Sequence, residues 1–156
     1  MIEVEREAFV DAPASAVWTL IEDTRRLPMW FAFADRVEPL DGGEGPGRRL
    51  RFHSRWGSRR SEVDVEVVAF EPGRLLAWKH LEERLDGRPA PRIARETRFE
   101  IWIEPEDARS TRVRLHVVQE PAGPLRGLAL RLGGRRDLAR RMELSLKRLN
   151  MVAPAV

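Results

Sequence analysis

Apolar side chains recur at every second position through most of this chain and at helical spacing in two stretches. In "IEVEREAFV" the apolar or small residues are Ile2, Val4, Ala8 and Val10, which predicts a strand ending at "DAP", with Arg6 on the same face. Pro13 then stands near the start of "ASAVWTLIED", whose Val17, Trp18, Leu20 and Ile21 make the apolar face of a helix. Asp23 and Thr24 can cap a new turn, and "RRLPMWFAFA" reads as a second short helix with a proline early in it.

"DRVEPLDGG" is a short strand that runs into "DGGEGPGRR", residues 41–49, where four glycines and two arginines suggest a phosphate cradle. Such a loop works when its amides converge at a helix N-terminus. Here it leads into another alternating segment, "RRLRFHSRW", with Leu50, Phe52, Ser54 and Trp56 on one face and Arg49, Arg51, His53 and Arg55 on the other. The loop is therefore a hairpin connection.

"SEVDVEVVAF" sets Val63, Val65 and Val67 against Glu62, Asp64 and Glu66, and the turn "EPGR" passes it to "LLAWKHLEERL". If neighbours pair antiparallel, the arginine row of one strand lies beside the acidic row of the next, and cross-strand ion pairs account for both. "TRFEIWIEP" places Thr97, Phe99, Ile101 and Ile103 opposite Arg98, Glu100, Trp102 and Glu104. After the hairpin loop "EDARS", "TRVRLHVVQ" places Val113, Leu115 and Val117 opposite Arg112, Arg114 and His116. The last stretch carries Leu125, Leu128, Leu132, Leu138, Met142, Leu149 and Val152 near helical spacing. It reads as one long amphipathic helix, with Gly133 and Gly134 where a kink would fall.

At 156 residues the chain fits one domain spanning residues 1–156. No apolar run approaches the ~20 residues of a membrane span, and the acidic, alternating first residues are unlike a signal peptide, so the expected compartment is cytoplasmic. The absence of cysteine excludes disulfides, thiolate nucleophiles and cysteine-ligated zinc. His53, His80 and His116 have no metal-ligand spacing, and neither a metal nor another cofactor is expected. The net charge of +3 is uneven. From Pro121 onward eight basic side chains face two acidic ones, a cationic segment on a slightly acidic body. Its bland reading is a solvated helix face held partly by the pairs Asp137 with Arg141 and Glu143 with Lys147. Docking on an anionic membrane surface is the functional alternative. No aromatic residues interleave with these arginines, so nucleic acid is not an expected partner.

The order strand, two short helices, six strands and long helix, with "VDAPASAVWTLIEDTRRLPMW", the glycine loop before "RRLRF", "VVAFEPGRLLAW" and "TRVRLHV", resembles the SRPBCC superfamily over nearly the whole chain. This is the helix-grip fold of START lipid-transfer domains, the birch pollen allergen group and polyketide cyclase/dehydrase-like proteins. The resemblance implies an α+β fold in which a curved antiparallel sheet of about seven strands grips the C-terminal helix and encloses an apolar cavity. The glycine loop would then frame its mouth, and the ligand would be a small hydrophobic molecule. Fold membership does not choose between carrier and enzyme, and the chain has no tyrosine for mechanisms that need a phenol.

On the inward faces, Trp30, Phe52, Trp56, Trp78, Phe99, Ile101 and Leu115, with Leu128 and Leu132 from the helix, either line that cavity or fill a core. Three polar residues share those faces: Arg6, Ser54 and His80. Burying a polar group is costly without a partner, which makes them the more informative set. His80 is a candidate general acid/base, or a histidine at a solvated strand end. Arg6 could anchor a carboxylate or phosphate, or be turned outward by a bulge. The motifs Gly-x-Ser-x-Gly, His-Glu-x-x-His and Gly-x-x-x-x-Gly-Lys do not occur.

Three functions remain open. The first is binding or carrying a lipid, isoprenoid or polyketide-like molecule without catalysis. The second is a polyketide cyclase/dehydratase-like enzyme with His80 as acid/base. The third is an interaction module docking through the cationic helix. Oligomeric state leaves no mark in the sequence.

Overall fold

The computed structural model describes residues 1–91, 94–129 and 133–155, with the backbone alone at Trp56 and Ala155. The elements, in chain order, are β1 (Ile2–Val10), α1 (Ala14–Glu22), β2 (Arg36–Pro39), β3 (Arg49–Trp56), β4 (Arg59–Glu71), β5 (Leu75–Leu85), β6 (Arg88–Pro89), β7 (Ala94–Pro105), β8 (Thr111–Pro121), α2 (Pro124–Ala129) and α3 (Arg135–Val152). The strands form one antiparallel sheet in the order β1-β8-β7-β5-β4-β3-β2, with the two-residue β6 paired to β5. This α+β arrangement has one strand more than the sequence pattern predicts, because two residues carry no periodicity.

Each strand buries one face. On β7 Thr97, Phe99, Ile101 and Ile103 are buried, and on β8 Thr111, Val113, Leu115 and Val117 are. Val17, Trp18, Leu20 and Ile21 of α1 and Met142, Leu146 and Leu149 of α3 join the same core. Among the described residues, no helix is long and apolar enough to cross a membrane.

Two local elements differ from the sequence pattern. The expected second short helix is a turn followed by a single 3-10 turn, Leu27–Met29. Pro28 sits at its start and lacks the N–H a longer helix would use. Leaving the helix lets Trp30, Phe31 and Ala34 all turn into the core. The long C-terminal helix is described as α2 and α3, with residues 130–132 outside the described set and a wider, π-type turn at Gly133 and Gly134.

The outer face of the sheet carries the expected charge ladder. Arg49, Arg51 and His53 of β3 stand opposite Glu66, Asp64 and Glu62 of β4. Arg112 and Arg114 of β8 pair with Glu7 and Glu5 of β1. Asp64 is buried and accepts from Arg51 Nε and Arg84 Nη2, each at 2.8 Å. Burial pushes its carboxyl up, but the hydrogen bonds and charges of Arg84 and Arg51 outweigh it and hold the group below the usual aspartate range. The segment after α1 is tied down from the other side. Ser145 Oγ of α3 accepts the Ala32 N–H at 2.9 Å and donates to the Arg141 carbonyl at 2.8 Å.

Candidate functional site

Strand register aligns the inner face in rows. One row runs Val4, Val117, Phe99, Trp78 and Val67, and the next runs Arg6, Leu115, Ile101, Leu76 and Phe70. Trp78 and Phe99 stack with their ring centroids 5.1 Å apart. Phe31, delivered by the turn after α1, sits between 5.0 and 5.7 Å from Trp30, Phe33, Phe52, Trp78 and Phe99. These rings make an aromatic floor. Its offset and edge-to-face contacts are the preferred aromatic geometries.

Beyond the Trp78 row, polar side chains join Val65, Val63 and Ile2 on the inner face. Thr97 pairs across with Gln119, and Ser54 pairs with Ser61. His80 and Glu83 belong to the same end because β5 has an extra residue at Leu81: Asp64 faces Glu82 while Val65 faces His80. This bulge brings residues three apart onto one face. His80 Nδ1 stands 3.4 Å from Glu83 Oε1, longer than an ordinary hydrogen bond, and the imidazole is 25% exposed. Thr97 and Ser61 are buried, and Gln119 Oε1 is buried with no partner among the described residues. The result is a polar collar of hydroxyls, one imidazole and one orphaned acceptor around an aromatic floor. Such a surface suits an apolar molecule with a hydroxyl or N–H at its edge.

The candidates from the sequence divide between floor, collar and elsewhere. Phe52, Trp78 and Phe99 form the floor, Ile101 and Leu115 lie buried in the row beneath, and Ser54 and His80 stand in the collar. Trp30 is wholly buried and donates its indole N–H to the Leu20 carbonyl at 3.3 Å, tying the turn to α1. Arg6 shares the inner face as its parity demands, but it lies under α3, where its Nε donates to Glu143 Oε1 at 2.9 Å. Leu115, Ile101 and Leu76 fill the row between it and β5, so Arg6 and His80 do not meet. Glu143 thereby serves Arg6, whereas Asp137 and Arg141 pair within the helix as expected. Leu128 is 52% exposed. α2 approaches Pro121 through Gly127, which turns its leucines outward. The Trp56 side chain and Leu132 lie outside the described residues.

Sequence reasoning missed Phe31, Phe33, Glu83, Thr97 and Gln119 as site residues. Gln119 continues the parity of Val113, Leu115 and Val117, so its signal was present; Glu83 depends on a bulge that no pattern announces. The glycine loop joins β2 to β3 and roofs a void of about 20 Å³ on the other side of Trp78 from His80. A larger cleft of about 470 Å³ lies on the outer face around Arg74, Trp102 and Arg114. Its arginines are paired with Glu71, Glu7 and Glu5, which leaves no unmatched charge for a ligand. Among the described residues no three His, Asp or Glu side chains gather as a metal site would require.

The sequence profile described as "Polyketide cyclase / dehydrase and lipid transport" matches residues 1–153. The chain belongs to that family. Among solved structures, this polyketide cyclase/dehydrase and lipid transport family member is similar to the Zhui aromatase/cyclase of Streptomyces sp. R1128, with a TM-score of 0.77 at 21% identity over 98% of this chain and 93% of that one. It is also similar to Ara h 8.0201, with a TM-score of 0.76 at 14% identity over 99% of both chains. At these identities the likeness is one of fold. A curated relative, the oxopyrrolidines biosynthesis cluster protein O of Penicillium oxalicum, is 29% identical over 91 aligned positions, 44% of this chain and 45% of that protein. The match thus spans less than half of that relative's length.

Proposed function

We propose that this family member binds a small, flat hydrophobic molecule at the polar collar, seats it against the aromatic floor, and holds it without turnover. The carrying observation is the collar itself, above all the buried and unpartnered Oε1 of Gln119. A buried acceptor without a donor is unfavourable, and a hydroxyl or N–H from a ligand would relieve it. Further support comes from the family description, which joins lipid transport to cyclase and dehydrase chemistry. An aromatase/cyclase and a biosynthesis cluster protein among the relatives also fit a small cyclic molecule as the guest. Against catalysis stands the separation of Arg6 from His80, which leaves no anion anchor beside the imidazole.

Native mass spectrometry of protein purified from its own host tests this reading. A discrete small-molecule adduct is expected, and the adduct should be weaker in Gln119→Leu. Bare protein alone, with no rise in melting temperature on adding flat apolar molecules, contradicts it.

One observation favours a second reading, in which the chain is a cyclase- or dehydratase-like enzyme: His80 and Glu83 stand side by side in the collar. A carboxylate at Nδ1 orients an imidazole for general base work at Nε2. In that case His80→Gln abolishes turnover of a cyclisable substrate while leaving its binding intact; equal rates in the variant exclude the role.

A further inference from the structure

The void under the glycine loop is walled by Leu27, Leu50, Val67 and Leu76 together with Arg48 and Trp78. Two N–H donors of those walls, Arg48 Nε and Trp78 Nε1, are buried with no partner among the described residues. Trp78 is 1% exposed, so its indole N–H has no bulk water to donate to. Arg48 is held in place by Nη2, which donates to Thr24 Oγ1 at 3.4 Å. Its backbone is pinned too: Gly47 N–H donates to the Val67 carbonyl at 2.7 Å and Val67 N–H to the Arg48 carbonyl at 2.8 Å. Gly45 and Gly47 take φ values of +74° and +92°, a left-handed backbone that glycine adopts without strain as the loop turns over the space.

Size and charge define the occupant. About 20 Å³ admits one water-sized group, which excludes a phosphate. A carboxylate is larger than that as well, and Glu22, which also borders the void, partly offsets the positive charge of Arg48. What remains is a neutral acceptor.

We infer that this void is a subsite for a single hydrogen-bond-accepting oxygen, filled by water in the free protein and by a ketone carbonyl of a bound molecule lying along the edge of Trp78. The ligand half of this assignment rests on the hydrophobic-ligand reading above. It adds a polar end opposite the collar: donors at Arg48 and Trp78, an acceptor at Gln119, and the aromatic floor between.

The test uses the full chain and two probes of matched shape, 2-acetylnaphthalene and 2-ethylnaphthalene, titrated calorimetrically into wild type, Trp78→Phe and Arg48→Met. The ketone should bind wild type about fivefold more tightly than the hydrocarbon, as one good hydrogen bond provides, and each variant should lose that preference. Arg48→Met keeps the alkyl stem and decides the matter if Trp78→Phe does not fold. A crystal structure of the free protein should show one ordered oxygen between Arg48 Nε and Trp78 Nε1. Equal affinities for the two probes in wild type overturn the subsite while leaving hydrophobic binding intact. No binding of either probe contradicts both, and a dry void in the crystal overturns the water assignment.

Discussion

At the scale of single residues, the telling groups are polar atoms placed where apolar ones would be more stable. Gln119 buries an Oε1 that has no partner among the described residues, a penalty that a shape-matched apolar residue would remove. Gln119→Leu is therefore expected to raise the melting temperature by about 3 °C, roughly 1 kcal/mol for a chain of this size, while weakening ligand binding. Scanning calorimetry checks the first half; a lower melting temperature would mean that the amide is satisfied. Asp64 is the opposite case, a carboxylate whose two arginine donors hold its pKa down in the folded protein. Its contribution is present above the ordinary aspartate range near 4 and is lost as pH falls through its lower folded value. Asp64→Asn should cost about 2 kcal/mol at pH 7 and flatten the fall in melting temperature as pH drops below about 4. Parallel pH profiles for wild type and variant would contradict that account.

At the scale of elements, Ser145 shows how a helix positions the floor. It links α3 to the backbone at Ala32, between Phe31 and Phe33, so one hydroxyl holds the segment that carries two floor rings. Ser145→Ala removes the acceptor of a half-buried N–H and is expected to cost about 1 kcal/mol in urea unfolding, with faster hydrogen exchange at Ala32 than in the core. A uniform change in exchange would point to general loosening instead. Strand identity was legible in the sequence because one face is buried and the other ionic, as at Val63 to Val67 against Glu62 to Glu66. The first helix was legible from Val17, Trp18, Leu20 and Ile21, all of which are buried. The aromatic floor was half legible: strand parity pointed to Phe52, Trp78 and Phe99, but Phe31 and Phe33 were hidden inside an expected helix. The bulge at Leu81 was illegible, since an extra residue in β5 leaves composition and alternation nearly unchanged. The pairing of Arg6 with Glu143 was equally hidden, because it joins residues 137 positions apart.

At the scale of the molecule, the two faces of one sheet divide the work. The outer face carries alternating acidic and basic rows, which neutralise one another and explain why a chain with 34% charged residues has a net charge of only +3. The inner face carries aromatic rings bounded by polar ends, and the account assigns ligand binding to that face alone. Five tryptophans provide site-resolved reporters, with Trp78 on the inner face and Trp102 on the outer cleft. The most direct measurement is the indole N–H spectrum of ¹⁵N-labelled protein titrated with 2-acetylnaphthalene. The inner-face account predicts a saturable shift of the Trp78 resonance with Trp102 unmoved. A shift of Trp102 with Trp78 unmoved would contradict it.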